Sequence, residues 1–200
     1  EMKDVNVHLI HSSLGGVSNA RNLAMGRAKG NYITFIDDDD FISPRYLEAL
    51  LEKASLQTVV LADSRSFVDG TAVYDESYKQ HQVYLSCSHR NTQSLLHARA
   101  IFNGPCMKLL PASFVQGEMF DPSLANGEDS LFMFQISKKI KGLAYASPDA
   151  IYYRRLRENS AVTRKKTFAY AFQSTVNILK KYIVSWLQSP LNYNFPFFLT

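Results

Sequence analysis

Short apolar runs alternate with amphipathic stretches over the first third of the chain. "VNVHLI" (5–10) alternates apolar and polar side chains, the two-residue period of a strand. "SSLGG" then turns the chain. In "VSNARNLAMGRAKG" (17–30), Val17, Ala20, Leu23, Ala24 and Ala28 fall on one helical face, and Gly30 supplies a C-terminal stop. "NYITFI" (31–36) is β-branched and aromatic, as a buried strand is. "SPRYLEALLEKA" (43–54) opens with Ser43 as an N-cap and Pro44 in the first turn. Its inward stripe would be Tyr46, Leu47, Leu50, Leu51 and Ala54. "TVVLAD" (58–63) is a further strand. This rhythm predicts an α/β layer with parallel strands.

Beyond residue 64 the pattern is weaker. "SRSFVDGTAVYDES" reads as a hairpin around Asp69-Gly70. Residues 92–102 read as a helix, and 104–115 as a short strand or loop leading into a helical turn. "GEDSLFMFQISKKIKG" (127–142) is amphipathic, with Leu131, Phe134, Gln135 and Ile136 on one side and Gly142 as its stop. "LAYASPDAIYYRR" holds one or two short strands. Residues 166–188 form a long helix ending before Pro190. No repeat or low-complexity linker divides the chain. The expected organisation is one α/β domain over 1–165 and a C-terminal helix and tail over 166–200.

Composition narrows the class. With 46% apolar and 20% charged residues the chain can build a core and is not a disordered segment. No apolar run reaches the about 18 residues of a membrane-spanning helix. The N-terminus lacks the basic-then-apolar pattern of a secretion signal. Cys87 and Cys106 form no C-x-x-C pair, which suits a reduced, cytoplasmic setting. From Arg154 onward eight Lys or Arg stand against one acid, Glu158. Such a tail is either a solvated basic face or a surface for phosphates or anionic lipid; nothing in it points to nucleic acid. The last helix would dock on the domain or lie on a membrane with Lys180 and Lys181 at the headgroups. His81, His89 and His97 fall eight apart, a spacing that fits no helix or strand site. Tyr152 and Tyr153 read as packing.

Three polar elements carry candidate chemistry. "TFIDDDDFISP" sets Asp37, Asp38, Asp39 and Asp40 between a buried strand and a helix start. Either it is a solvated turn in which Asp40 or Ser43 caps the helix, or it holds a divalent cation whose charge removes the repulsion. Mg²⁺ or Mn²⁺ held by one or two carboxylates completes its shell with substrate phosphates, which points to a diphosphate. "NGEDSLF" brings Glu128 and Asp129 to a helix N-terminus, as caps or as a general base. "YYRRLRENSAVTR" clusters Arg154, Arg155 and Arg157, with Ser160, Thr163 and Arg164 behind, as a solvated stretch or a phosphate clamp.

Taken together these elements resemble family 2 glycosyltransferases, inverting enzymes with a GT-A fold. "GGVSNARNLAMGRAKGNYITFIDDDDFISPRYLEAL" is similar to the donor half of that family: Gly16, Ala20, Arg21 and Asn22, an apolar strand, then Asp37, Asp39 and Asp40, then Pro44. "NGPCMKLLPASF" resembles the segment ending in Lys-Leu-Tyr, through Lys108 and Leu109. "FDPSLANGEDSLF" resembles the Glu-Asp motif and "YYRRLRENSAVT" the Tyr-Tyr-Arg-x-Arg segment, in the right order over 5–165. The resemblance implies a mixed α/β sheet flanked by helices and a UDP-sugar donor bound with Mn²⁺ or Mg²⁺. Asp39, with Asp37, would hold the metal or ribose, and Asp38 would fill the variable position of the donor-binding acidic motif. Asp129 would be the catalytic base and Glu128 its orienting neighbour. Arg155 and Arg157 would lie near the diphosphate, Arg21 at the nucleotide end and Lys108 on the acceptor side. A saccharide or lipid-linked saccharide would accept the sugar, in cell-surface polysaccharide or glycan synthesis at the inner face of the membrane.

The family's opening strand, aspartate loop, helix and Asp-Asp-Gly-Ser strand are not in this sequence. The chain starts at what would be the family's third strand, roughly 50 residues late by βαβ arithmetic. The expectation is an N-terminally truncated GT-A unit that by itself binds nucleotide sugar weakly, with residues 5–10 as an exposed sheet edge. Such an edge would be covered by a homodimer partner or by the C-terminal segment. The rival readings are a non-catalytic binding module and a metal-dependent nucleotidyltransferase; the latter would carry a Gly-rich nucleotide loop that is not seen here.

Overall fold

The structure, a computed structural model, describes residues 6–68, 74–75, 77–156 and 167–193. Along the chain the elements are α1 (Val17–Arg27), β1 (Tyr32–Ile33), β2 (Phe41–Ile42), α2 (Tyr46–Glu52), β3 (Thr58–Leu61), β4 (Asp63–Val68) and β5 (Tyr74–Asp75). There follow α3 (Lys79–His89), β6 (Lys108–Pro111), α4 (Ala112–Val115), α5 (Glu128–Ser137), β7 (Gly142–Tyr145), β8 (Ile151–Leu156) and α6 (Phe168–Gln188). One sheet has the order β1-β6-β3-β7 and the other β2-β8-β4-β5. β3 is parallel to β7 and β4 to β8. Only Ala62 separates β3 from β4, so one run of chain serves both sheets. Val59, Val60, Leu61 and Ala62 are all buried, which is why that run reads as continuously apolar.

The expected parallel layer is only partly present. β1 and β3 run the same way, but β6 inserts antiparallel between them. All four β6 residues are buried, and this long-range pairing leaves no mark in the local pattern around β1 or β3. Residues 6–10 form no strand, and Val7 and Leu9 are exposed. The alternation there has no sheet face to bury, and β1 is the edge instead. The helix expected over 92–102 is a series of turns closed by a 3-10 turn at Ile101–Asn103. β4 and β5 pair as the hairpin requires, while its turn at Asp69-Gly70 lies outside the described residues.

Two helices present faces other than the expected ones. In α1 the buried residues are Ser18 and Arg21, while Val17 and Leu23 are exposed. The reason is polar: Asn22 Nδ2 donates to the Phe120 carbonyl at 2.8 Å, and its Oδ1 accepts the Phe120 N–H at 2.9 Å. In α2 the stripe is Tyr46, Ala49 and Leu50, with Leu47 and Leu51 outward. Ser43 does not cap it; its hydroxyl donates to the Asp149 carbonyl and accepts the Ile151 N–H, tying the helix start to β8.

The core lies between the sheets and α5, which is buried nearly all round. Gly142 opens β7 rather than ending α5, whose last turn closes at Ser137. Much of this burial comes from α6, which docks on α5. The Tyr182 hydroxyl hydrogen-bonds Ser130 Oγ at 2.8 Å, and the Tyr182 ring lies 4.9 Å from that of Phe134. Lys181 pairs with Asp121 at 2.8 Å and Gln135 donates to Ser185. No helix among the described residues is long and apolar enough to cross a membrane. Tyr182→Ala is expected to lower the unfolding free energy by about 2 kcal/mol, short of a fully buried truncation because the ring is only partly enclosed. Urea titration reads it, and an unchanged midpoint would mean that α6 does not dock.

Candidate active site

The acidic run is a tight turn, with the Asp40 N–H donating to the Asp37 carbonyl at 3.1 Å. It follows Phe35, which bridges to Cys106, and leads into β2. β2 pairs with β8, Ile42 opposite Tyr152 and Phe41 opposite Tyr153. That register brings β8 under the turn. The Tyr152 hydroxyl donates to Asp40 Oδ2 at 2.8 Å and accepts the Asp37 N–H at 3.1 Å. Asp40 Oδ1 accepts the Arg155 N–H at 2.8 Å, and Arg155 Nε donates to the Asp39 carbonyl at 2.9 Å.

Asp40 is therefore a bracket: each of its oxygens accepts a hydrogen bond from β8. Burial pushes its carboxyl above the ordinary range, and these two hydrogen bonds pull it back. Asp37, Asp39 and Asp40 each present an oxygen within 4.8 Å of the others, the sole such group among the described residues that could share a cation. Hard carboxylate oxygens at that spacing suit Mg²⁺ or Mn²⁺. Asp38 stands exposed at the tip, outside the group. Tyr152→Phe should cost about 1–2 kcal/mol in unfolding free energy, because it leaves a half-buried Asp40 oxygen without its donor. Chemical denaturation at neutral pH measures this.

Asp129 arrives from the other side of the fold. Gly127 precedes α5 with φ of 83°, a left-handed conformation, and a Cβ there would stand 2.1 Å from Ile178 Cδ1. Glycine at this corner lets α5 start under α6 with Glu128 and Asp129 in its first turn, where the helix dipole favours acids. One cation joins the two halves. Arg21 donates from one guanidinium nitrogen to Asp37 Oδ1 at 2.7 Å and from the other to Asp129 Oδ1 at 2.5 Å. Its guanidinium lies 5.3 Å from the centre of the Phe120 ring.

Desolvation pushes Asp129 up to about 6; Arg21 pulls it down, while Glu128 and Asp37 push with the burial. Burial works against the charge of Arg21, but Asp129 and Asp37 outweigh it and hold the guanidinium above its usual range. Oε2 of Glu128 is buried without a hydrogen-bond partner among the described residues. A carboxylate near neutrality with one oxygen paired, beside a second that lacks a donor, can take a proton from a hydroxyl and orient it.

Of the sequence-derived candidates, Arg21, Asp37, Asp39, Asp129, Glu128 and Arg155 belong to this constellation. Arg155 grips the turn's backbone. Arg154 turns to the Tyr78 hydroxyl instead. Arg157, with Ser160, Thr163 and Arg164, lies outside the described residues. Lys108 is fully buried, and its ammonium donates to the carbonyls of Gly104 and Cys106. Cys106 is buried and its thiol is pushed up to about 12. His81 is buried against Asp63, at 2.7 Å from its carboxylate. Sequence reading passed over Tyr152, because only the β2–β8 register reveals that its hydroxyl reaches the acids.

The chain is similar to known proteins in sequence and in fold. The chain is 26% identical over 178 residues to the putative glycosyltransferase EpsH of Bacillus subtilis, covering 82% of this chain and 49% of EpsH. It is 24% identical over 161 residues to the poly(ribitol-phosphate) β-N-acetylglucosaminyltransferase TarS of Staphylococcus aureus, covering 78% of this chain and 26% of TarS. The crystal structure of S. aureus TarS 1–349 in complex with UDP-GlcNAc superposes with a TM-score of 0.61 at 21% identity, over 89% of this chain and 50% of that one. The fold is thus that of the GT-A enzyme TarS, and the chain spans about half the length of EpsH and of TarS 1–349. The model of glycosyl transferase family 2 matches residues 1–116, more than half of the sequence, and the chain belongs to that family.

Proposed function

We propose that this chain carries the catalytic core of an inverting glycosyltransferase that moves a sugar from a nucleoside diphosphate to an acceptor hydroxyl. The observation behind this reading is the single guanidinium of Arg21 bonded to both Asp37 and Asp129. It joins the acidic turn, which suits a diphosphate and its cation, to a carboxylate that suits a proton acceptor. Asp39 and Asp37 would hold Mn²⁺ or Mg²⁺, which supplies charge neutralisation to a departing diphosphate. Asp129 takes the acceptor's proton through Oδ2, since Oδ1 is held by Arg21. The acceptor oxygen forms its bond to the anomeric carbon from the face opposite the diphosphate. The bond from that carbon to the diphosphate oxygen breaks, its electron pair leaves with the nucleotide, and configuration inverts. Glu128 orients a substrate hydroxyl through Oε2, which has no hydrogen-bond partner among the described residues. Arg155 keeps the turn in shape, and the family resemblance assigns Arg157 to the diphosphate.

A UDP-sugar is the favoured donor, by analogy with the UDP-GlcNAc of the TarS complex. The acceptor is a saccharide or lipid-linked saccharide, in surface glycan synthesis on the cytoplasmic side of a membrane. Calorimetry of the intact protein with UDP and Mn²⁺ tests the donor half. The expected result is binding that weakens at least tenfold in Asp39→Asn and on chelation; equal binding in both would overturn it.

A further inference from the structure

Lys108 has no exposed surface and no carboxylate in contact among the described residues. Its ammonium donates to the carbonyls of Gly104 at 2.6 Å and Cys106 at 2.7 Å, and lies 5.5 Å from the centre of the Phe102 ring. Between these carbonyls and the lysine sits Met107, with φ of 62°. A long side chain seldom adopts that left-handed conformation, which persists only where surrounding bonds enforce it. On its other flank the Met107 carbonyl accepts the Ala62 N–H at 3.0 Å. A buried cation thus closes a strained loop on itself.

The loop runs beneath the base. A Cβ placed on Gly104 would meet Asp129 Oδ2 at 3.7 Å, and Oδ2 is the oxygen that Arg21 leaves open. Gly104 has φ of −149° and ψ of 166°, extended backbone that any residue adopts. Its bareness therefore serves space, not conformation. A hydroxyl donating to Oδ2 must come within about 2.7 Å of it, and a side chain on residue 104 would stand in van der Waals contact with that same oxygen.

We propose that Lys108 is a positioning residue that pins the Gly104–Cys106 loop under Asp129, and that bare Gly104 is the acceptor's opening to the base. This rests on the reading of Asp129 as proton acceptor. Burial pushes the Lys108 ammonium down to about 7. The carboxylate of Asp129 lies near enough to favour the charged form.

Two arms test it on the intact protein. Amide hydrogen exchange at Cys106 and Met107 should quicken at least tenfold in Lys108→Met, with α6 unchanged. Unaltered exchange overturns the pin, whatever the turnover. The second arm uses UDP-GlcNAc with Mn²⁺ and compares hydrolysis with transfer to glycerol. Gly104→Val should lower the glycerol-to-water ratio at least tenfold relative to the parent, and Gly104→Ala by less. An unchanged ratio overturns the opening. Asp129→Asn runs alongside: if it leaves hydrolysis and transfer intact, the base reading itself fails. If it silences both while the Gly104 ratio holds, only the present inference fails.

Discussion

Asp129→Asn is expected to lower turnover by about 10²- to 10⁴-fold, the usual worth of a positioned general base, while donor affinity changes little. The substitution keeps shape and removes only the ability to take a proton. Hydrogen bonding by Arg21 survives through the amide oxygen. The parent should lose turnover as pH falls through about 6, because Asp129 must be ionised and desolvation has raised it there. The same shift carries a stability consequence. The folded-state value exceeds the ordinary 3.8, so the protonated form is favoured by folding. That contribution is complete below about pH 4 and is lost as pH rises through about 6. At neutral pH the ionised carboxylate is therefore a cost, bounded at about 3 kcal/mol by the size of the shift. Asp129→Asn should melt no lower than the parent at pH 7.5. A dead variant with an undiminished melting temperature identifies a chemical role; a live one removes Asp129 from the mechanism.

The sequence reveals the polar clusters better than it reveals the packing around them. The acidic turn and the Glu128–Asp129 helix start were legible as runs of acids, and Arg21 through the family resemblance. α6 was legible too, since its apolar pattern persists over many turns. Failures came wherever a distant segment decided the outcome. α1 shows its apolar face to solvent because Asn22 and Arg21 have partners at Phe120, Asp37 and Asp129, far along the chain. Asp40 reads locally as a cap and serves as a bracket, because β8 supplies both of its donors. α3 lacked a strong periodic stripe, and its place is set by contacts such as His81 to Asp63 and Tyr84 to the Ala146 carbonyl. Lys108, placed on the acceptor side by the resemblance, is wholly enclosed and donates to carbonyls that only the folded loop brings together.

Arg21→Met should lower turnover by about 10²-fold or more, and through a different signature from the loss of Asp129. Methionine keeps much of the stem that packs by Phe120 but deletes both ion pairs. Asp37 and Asp129 then face each other without the cation between them. The charged form of Asp129 is destabilised, and that carboxylate already sits high through burial. Its value must rise further, so the acid limb of the pH–rate profile moves upward from about 6 and part of the activity lost at pH 7 returns at higher pH. Asp129→Asn has no such recovery, since it has no proton to lose. Arg21→Lys separates charge from geometry. A lysine supplies the charge but not the fork that reaches two carboxylates at 2.5 and 2.7 Å. It should hold the pH limb nearer the parent while leaving turnover depressed, since one of the two acids loses its bond. A profile for Arg21→Met that keeps its limb at the parent's pH would show that Asp129 does not feel Arg21. The acidic turn and the base would then be neighbours without being coupled.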